Sequence, residues 1–175
     1  MRVYTDPSAR SAPPAVSQVV TAREAAFVDL GSFGVRFLAR AAQTRGALSI
    51  VEHPIPPRTL AAPLHRHSGE DEYSYVIEGT MGAQLGSDVV VAGAGTLVFK
   101  PRGQWHTFWN AGDVPCRVLE IIAPGGFEEM FAEMGADPGS MTGEGAAAMD
   151  ARYGLDVEYE SIERLCGEHG LAFPM

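Results

Sequence analysis

A chain of 175 residues has the length of one domain, and its 46% hydrophobic and 9% aromatic content is enough to fill a core. Thirteen Lys and Arg against 22 Asp and Glu leave a formal charge of -9, and Lys100 is the single lysine, so there is no basic face for nucleic acid or an anionic membrane. Twenty Gly and 12 Pro favour short strands joined by turns over long helices.

Residues 1–20 hold Pro7, Pro13 and Pro14 among small polar residues and are expected to form a flexible arm. They contain no continuous apolar core of the secretory type, and no segment approaches the roughly 20 apolar residues of a membrane span, so a cytoplasmic protein is expected. Cys116 and Cys166 sit in no paired spacing and are expected as reduced thiols. Over residues 21–124, strand-length apolar or alternating runs fall at 25–30, 35–39, 48–53, 64–67, 72–78, 80–85, 89–92, 97–100, 105–109 and 117–123. Gly, Pro, Asn and Asp punctuate them, with no helical period between. The expectation is an all-β fold, an antiparallel sandwich or barrel. After Pro124 the period changes: Phe127, Met130, Phe131 and Met134 lie three and four apart. Short α-helices are expected there, at 146–153 and at 159–169, so that residues 125–175 form a helical extension covering one end of the β-core.

The chemistry lies in the histidines. His65, His67 and His106 are three of five in the chain, and all fall in the strand-rich block. In extended chain, residues two apart share a face, so His65 and His67 present both imidazoles to one cavity. Glu72 follows five residues later and reaches the same side only if residues 68–71 turn the chain; Glu70 and Asp71 compete with it as carboxylates but read as solvated turn charges. Three imidazoles and one carboxylate form a borderline-hard donor set for one divalent first-row ion: Fe, Ni, Mn, Co or Zn. Counting phase along the strands puts Ser74 and Val76 with Glu72, and Phe108 and Asn110 with His106, so that Ser74, Val76 and Phe108 are candidate pocket residues. Trp105 and Trp109 fall on the opposite face as packing or dimer residues, and His53 and His169 read as structural.

Two ordered motifs carry a family resemblance. His65-Arg66-His67, four residues, Glu72, six residues, Gly79 resembles the first cupin motif; Gly95, five residues, Pro101, one residue, Gly103, two residues, His106, three residues, Asn110 resembles the second. Fifteen residues separate Gly79 from Gly95, as in small bacterial monocupins, and Thr59 stands where the first motif has a Gly. The resemblance implies a cupin-type antiparallel β-barrel (jelly roll), with His65, His67, Glu72 and His106 as metal ligands. The segments around the motifs, including Pro124-Gly125-Gly126-Phe127-Glu128, are similar to quercetinase-like proteins. That similarity implies a mononuclear metal-dependent dioxygenase that cleaves a flavonol or related enolisable aromatic with O2, Glu72 taking the substrate proton. A redox-neutral metal-dependent cyclase or isomerase, or a non-catalytic small-molecule-binding cupin, would use the same ligands. A homodimer is implied as well.

Overall fold

The computed structural model describes residues 19–137, 139 and 142–174. The arm expected over residues 1–20 lies, but for its last two residues, outside this set. Eleven strands and four helices follow in the order β1 (Phe27–Asp29), β2 (Gly34–Ala39), α1 (Ala41–Thr44), β3 (Ser49–Ile55), β4 (Leu64–His67), β5 (Asp71–Glu78), β6 (Thr80–Leu85), β7 (Asp88–Gly93), β8 (Leu97–Lys100), β9 (His106–Asn110), β10 (Cys116–Ala123), α2 (Glu128–Ala136), α3 (Gly143–Arg152), β11 (Leu155–Glu158) and α4 (Ser161–His169). One sheet has six strands in the order β1-β2-β3-β10-β5-β8 and the other five, β11-β4-β9-β6-β7. Every strand pair is antiparallel.

The alternation in the sequence decides what faces inward. On β10, Cys116, Val118, Glu120 and Ile122 are buried while their neighbours are half-buried, and on β5 the buried set is Glu72, Ser74 and Val76. Register then matches these stripes across the sheet: Ser74 pairs with Glu120, Glu72 with Ile122 on one side and with Lys100 on the other. Two glycines are required by close approach. A Cβ on Gly79, whose φ is 80°, would lie 2.7 Å from the Pro115 carbonyl oxygen, and one on Gly82 would lie 2.2 Å from the Trp109 indole nitrogen.

Three features depart from the sequence expectation. A single helical turn, α1, interrupts the strands; Glu128 at the start of α2 secures it by accepting a hydrogen bond from the Ala41 amide at 2.6 Å. The C-terminal stretch also supplies a strand, since β11 pairs with β4, setting Leu155 opposite His67 and Val157 opposite His65. Finally, β9 is buried on both faces, because α4 covers its outer side. There Trp109 packs with Leu60, Leu64 and Leu165, and its ring stacks on His169 at 4.4 Å. Where Thr59 replaces Gly, the left-handed residue of the turn is Arg58 (φ 50°). Cys116 and Cys166 are free thiols.

Candidate metal centre and its cavity

His65 and His67 come from β4, Glu72 from β5 and His106 from β9, so the cluster bridges the two sheets. All four side chains are buried, and one ligating atom from each falls within 4.8 Å of the other three. The strand register brings His65 directly opposite His106, with ring centroids 4.4 Å apart. The turn at residues 68–71 resets the phase for Glu72, as its spacing demands. Asp71 points away, held by the Arg102 guanidinium at 2.8 Å, which keeps its carboxyl down at about 2. Glu70 is no solvated turn charge: its Oε2 is buried 3.6 Å from His67 Nδ1, backing the imidazole.

The tautomers follow from the backbone. His65 Nδ1 donates to the Pro63 carbonyl at 2.8 Å and His106 Nδ1 to the Gln104 carbonyl at 3.0 Å, so both rings turn their Nε2 atoms toward the cluster. Burial, with the neighbouring His106 and His67, holds His65 well below the usual imidazole range, and burial likewise lowers His106. Burial alone pushes Glu72 up, but Lys100, His67 and His106 outweigh it and hold the carboxyl well below the usual range. His106 Nε2 lies at hydrogen-bond distance from Glu72 Oε2, 3.1 Å, and His67 Nε2 lies 3.5 Å from Glu72 Oε1. Neither nitrogen of His67 has a hydrogen-bond partner among the described residues. Three imidazoles and a carboxylate converging in a buried space, with the His67 nitrogens thus left without a partner, fit a divalent ion.

Beside the cluster is a second charged group that the sequence reading did not pick out. Lys100 Nζ is buried between two carboxylates, 2.8 Å from Glu72 Oε2 and 3.1 Å from Glu120 Oε2, and 4.8 Å from the Phe108 ring centroid. Burial works against its charge, but Glu120 and Glu72 outweigh it and raise the ammonium above its ordinary range. Glu120 shows the opposite balance. Burial and Glu72 overcome Lys100 and push its carboxyl up to about 7. A signal existed: Lys100 follows Val98, and Glu120 lies between Val118 and Ile122, so each is a polar residue set at period two within an apolar stripe.

The cluster opens on a cavity of about 620 Å³, a volume ordinary for a drug-sized ligand. His65 and Glu72 are on its wall, while Phe127, Met130 and Phe131 of the α2 region and Ala146 and Met149 of α3 close its far side. Of the expected pocket residues only Phe108 lines it. Ser74 donates instead to Glu120 Oε2 at 2.6 Å, and Val76 belongs to the solid core. Both share Glu72's face as the phase count required, but that face continues below the cavity floor. His53, read from sequence as structural, is on the cavity wall.

Residues 52–122 match the family model described as the cupin domain, and the two antiparallel sheets form a cupin jelly roll. Among curated proteins, the tetracenomycin polyketide synthase protein TcmJ of Streptomyces glaucescens is 37% identical over 60 residues, 34% of this chain and 40% of that protein. The match thus spans less than half the length of that relative. Among solved structures, KdgF from Halomonas aligns with a TM-score of 0.58 at 15% identity, over 65% of this chain and 99% of its own. A predicted oxalate decarboxylase from Thermotoga maritima aligns at 0.54 and 23%, over 61% and 99%. Pac13 of Streptomyces, described as a nucleoside dehydratase, aligns at 0.54 and 15%, over 65% and 88%. At these identities the structures speak for the fold. No helix among the described residues is long and apolar enough to cross a membrane.

Proposed function

We propose that the protein is a metal-dependent enzyme that binds an apolar, enolisable aromatic molecule in the cavity and removes a proton from it through Glu72. The observation that carries this reading is the opening of the His65, His67, Glu72 and His106 cluster onto a wall that is otherwise mostly aliphatic and aromatic. A divalent ion held by these four residues supplies Lewis acidity, polarising a carbonyl or acidifying a hydroxyl. Phe108, Phe127 and Phe131 hold the flat body of the substrate and exclude water. Glu72 Oε2 is engaged by Lys100, so Oε1 is the oxygen that receives the proton. Because Lys100 favours the ionised form of this carboxyl, the proton is held only briefly and passes back to the product.

Two outcomes of that proton removal are open to the site. A redox-neutral cyclisation or isomerisation is favoured by the similarity to a polyketide synthase protein and by the buried Glu72, Lys100 and Glu120 chain. A dioxygenase of the quercetinase-like type is supported by the donor set, which suits oxygen-activating ions equally well. Restoring single metals to metal-free protein and following aromatic polyketides and flavonols by absorbance, beside an oxygen electrode, separates the two. Turnover without O2 uptake is expected. Stoichiometric uptake would assign the dioxygenase, and absence of turnover with every metal would remove the enzymatic reading.

A further inference from the structure

Apart from the metal ligands, the polar side chains on the cavity wall are Ser32, Thr142, Asp150, Tyr159, Glu120 and His53; Ser32 and Thr142 donate to the carbonyls of Ala61 and Gly139 and Tyr159 donates to Asp150, which leaves Glu120 and His53. Glu120 is 1% exposed and lines the floor. Its Oε2 is committed to Ser74 and Lys100, while Oε1 has no partner among the described residues. Next to it on the inner face is His53. In the β3–β10 register Glu120 pairs with Val51 and Val118 with His53, so the two are diagonal neighbours, with backbones on the order of 7 Å apart. His53 Nδ1 donates to the Gly34 carbonyl at 3.1 Å, which fixes Nε2 as the acceptor nitrogen. Its ring is boxed by Phe33 and Phe131 at 4.9 and 5.4 Å, edge to face in both cases, so it cannot swing out to solvent.

A buried, uncommitted carboxyl oxygen and a buried acceptor nitrogen are each costly without a partner. We propose that Glu120 and His53 form a hydroxyl-recognition subsite on the cavity floor, so that the substrate is a polyhydroxylated aromatic with one oxygen toward the metal ligands and a second hydroxyl on this pair. A hydroxyl is the group that fits both partners. Its one hydrogen donates to His53 Nε2 or to an ionised Glu120 Oε1, and with Glu120 protonated it donates to His53 Nε2 while its oxygen accepts from the Oε1 hydroxyl. A carbonyl cannot donate to His53, and a bare ring would leave both atoms unpaired. The spacing agrees, because Lys100 bridges Glu120 to Glu72 and sets the second hydroxyl a short distance from the metal-directed oxygen.

The inference rests on the small-molecule reading above but not on turnover, so it is tested by binding. Quercetin and flavone share a ring skeleton and differ in hydroxyls. Each is titrated into wild type, His53→Phe and Glu120→Gln by tryptophan fluorescence, with the variants' folding checked by circular dichroism and the metal content matched. Wild type is expected to prefer quercetin by at least about tenfold, and each variant to lose most of that preference while its affinity for flavone stays within about threefold. A preference unchanged in both folded variants would overturn the subsite and leave the metal reading intact. Failure of wild type to bind either probe, with metal seated at the cluster, would overturn both.

Discussion

The six-stranded sheet carries a charge network on each face, and the two are built differently. On the outer face Glu52 accepts from Arg36 at 2.8 Å and Arg117 at 2.9 Å, and both guanidinium side chains keep access to water. On the inner face Lys100 lies between Glu72 and Glu120, and all three side chains are cut off from solvent. The outer arrangement buries one carboxylate, Glu52, but offsets it with two guanidinium groups that stay partly hydrated. The inner one must overcome the removal of three charges from water, which apolar side chains of the same size would avoid. The costly arrangement is the one that adjoins the candidate metal ligands, the side on which the proposed chemistry would act.

Removing the cation should have the largest effect on stability. Lys100→Met in metal-free protein leaves two buried carboxylates facing each other and is expected to lower unfolding stability by about 3–5 kcal/mol in urea. Combining it with Glu120→Gln should recover part of the loss. A loss below 1 kcal/mol, on the order expected of exposed pairs, would make the inner network equivalent to the outer one.

Acid should act through His53. Its folded pKa, lowered to about 4 by burial, lies below its ordinary value of 6.5, so the unfolded chain binds more protons between those limits. Stability from this group is complete above pH 6.5 and is lost as pH falls through 4, on the order of 3 kcal/mol in all. His53→Phe should flatten that part of the stability profile, and an unaltered slope would show that the ring is not held neutral. Glu120 works with the opposite sign. Its carboxyl is raised from 4.5 to about 7, so its contribution is complete below pH 4.5 and is lost as pH rises toward 7; Glu120→Gln should remove that decline. The outer face should give the smallest change. Arg36→Ala is expected to cost less than about 1 kcal/mol, since Arg117 still pairs with Glu52, and the cost should shrink further in high salt.

How much of this was legible follows from what period two can carry. Alternation put Ser74 and Val76 on the face of Glu72 in β5, and the His65, His67, Glu72 and His106 spacing was enough to bring four candidate ligands together, because strand phase and one turn determine their directions. The strand β11 was missed although Leu155 and Val157 alternate with Asp156 and Glu158, since four residues between two helices give little pattern to weigh. Lys100, Glu120 and His53 were passed over for a different reason. Charged and polar residues in strands are ordinarily turned to water, and only their position between apolar residues two apart marks them as inward. Where the cavity ends depends on how α2 and α3 settle on the barrel, which no local pattern specifies; Ser74 and Val76 were therefore given the correct face but not the correct depth.

The central claim is that four buried side chains from three strands hold one divalent ion, and metal titration of wild type beside His67→Ala and His106→Ala tests it most directly. The account predicts one equivalent bound by wild type, and affinity lowered at least about a hundredfold in each variant with the barrel still folded. Equal stoichiometry and affinity in all three proteins would contradict it.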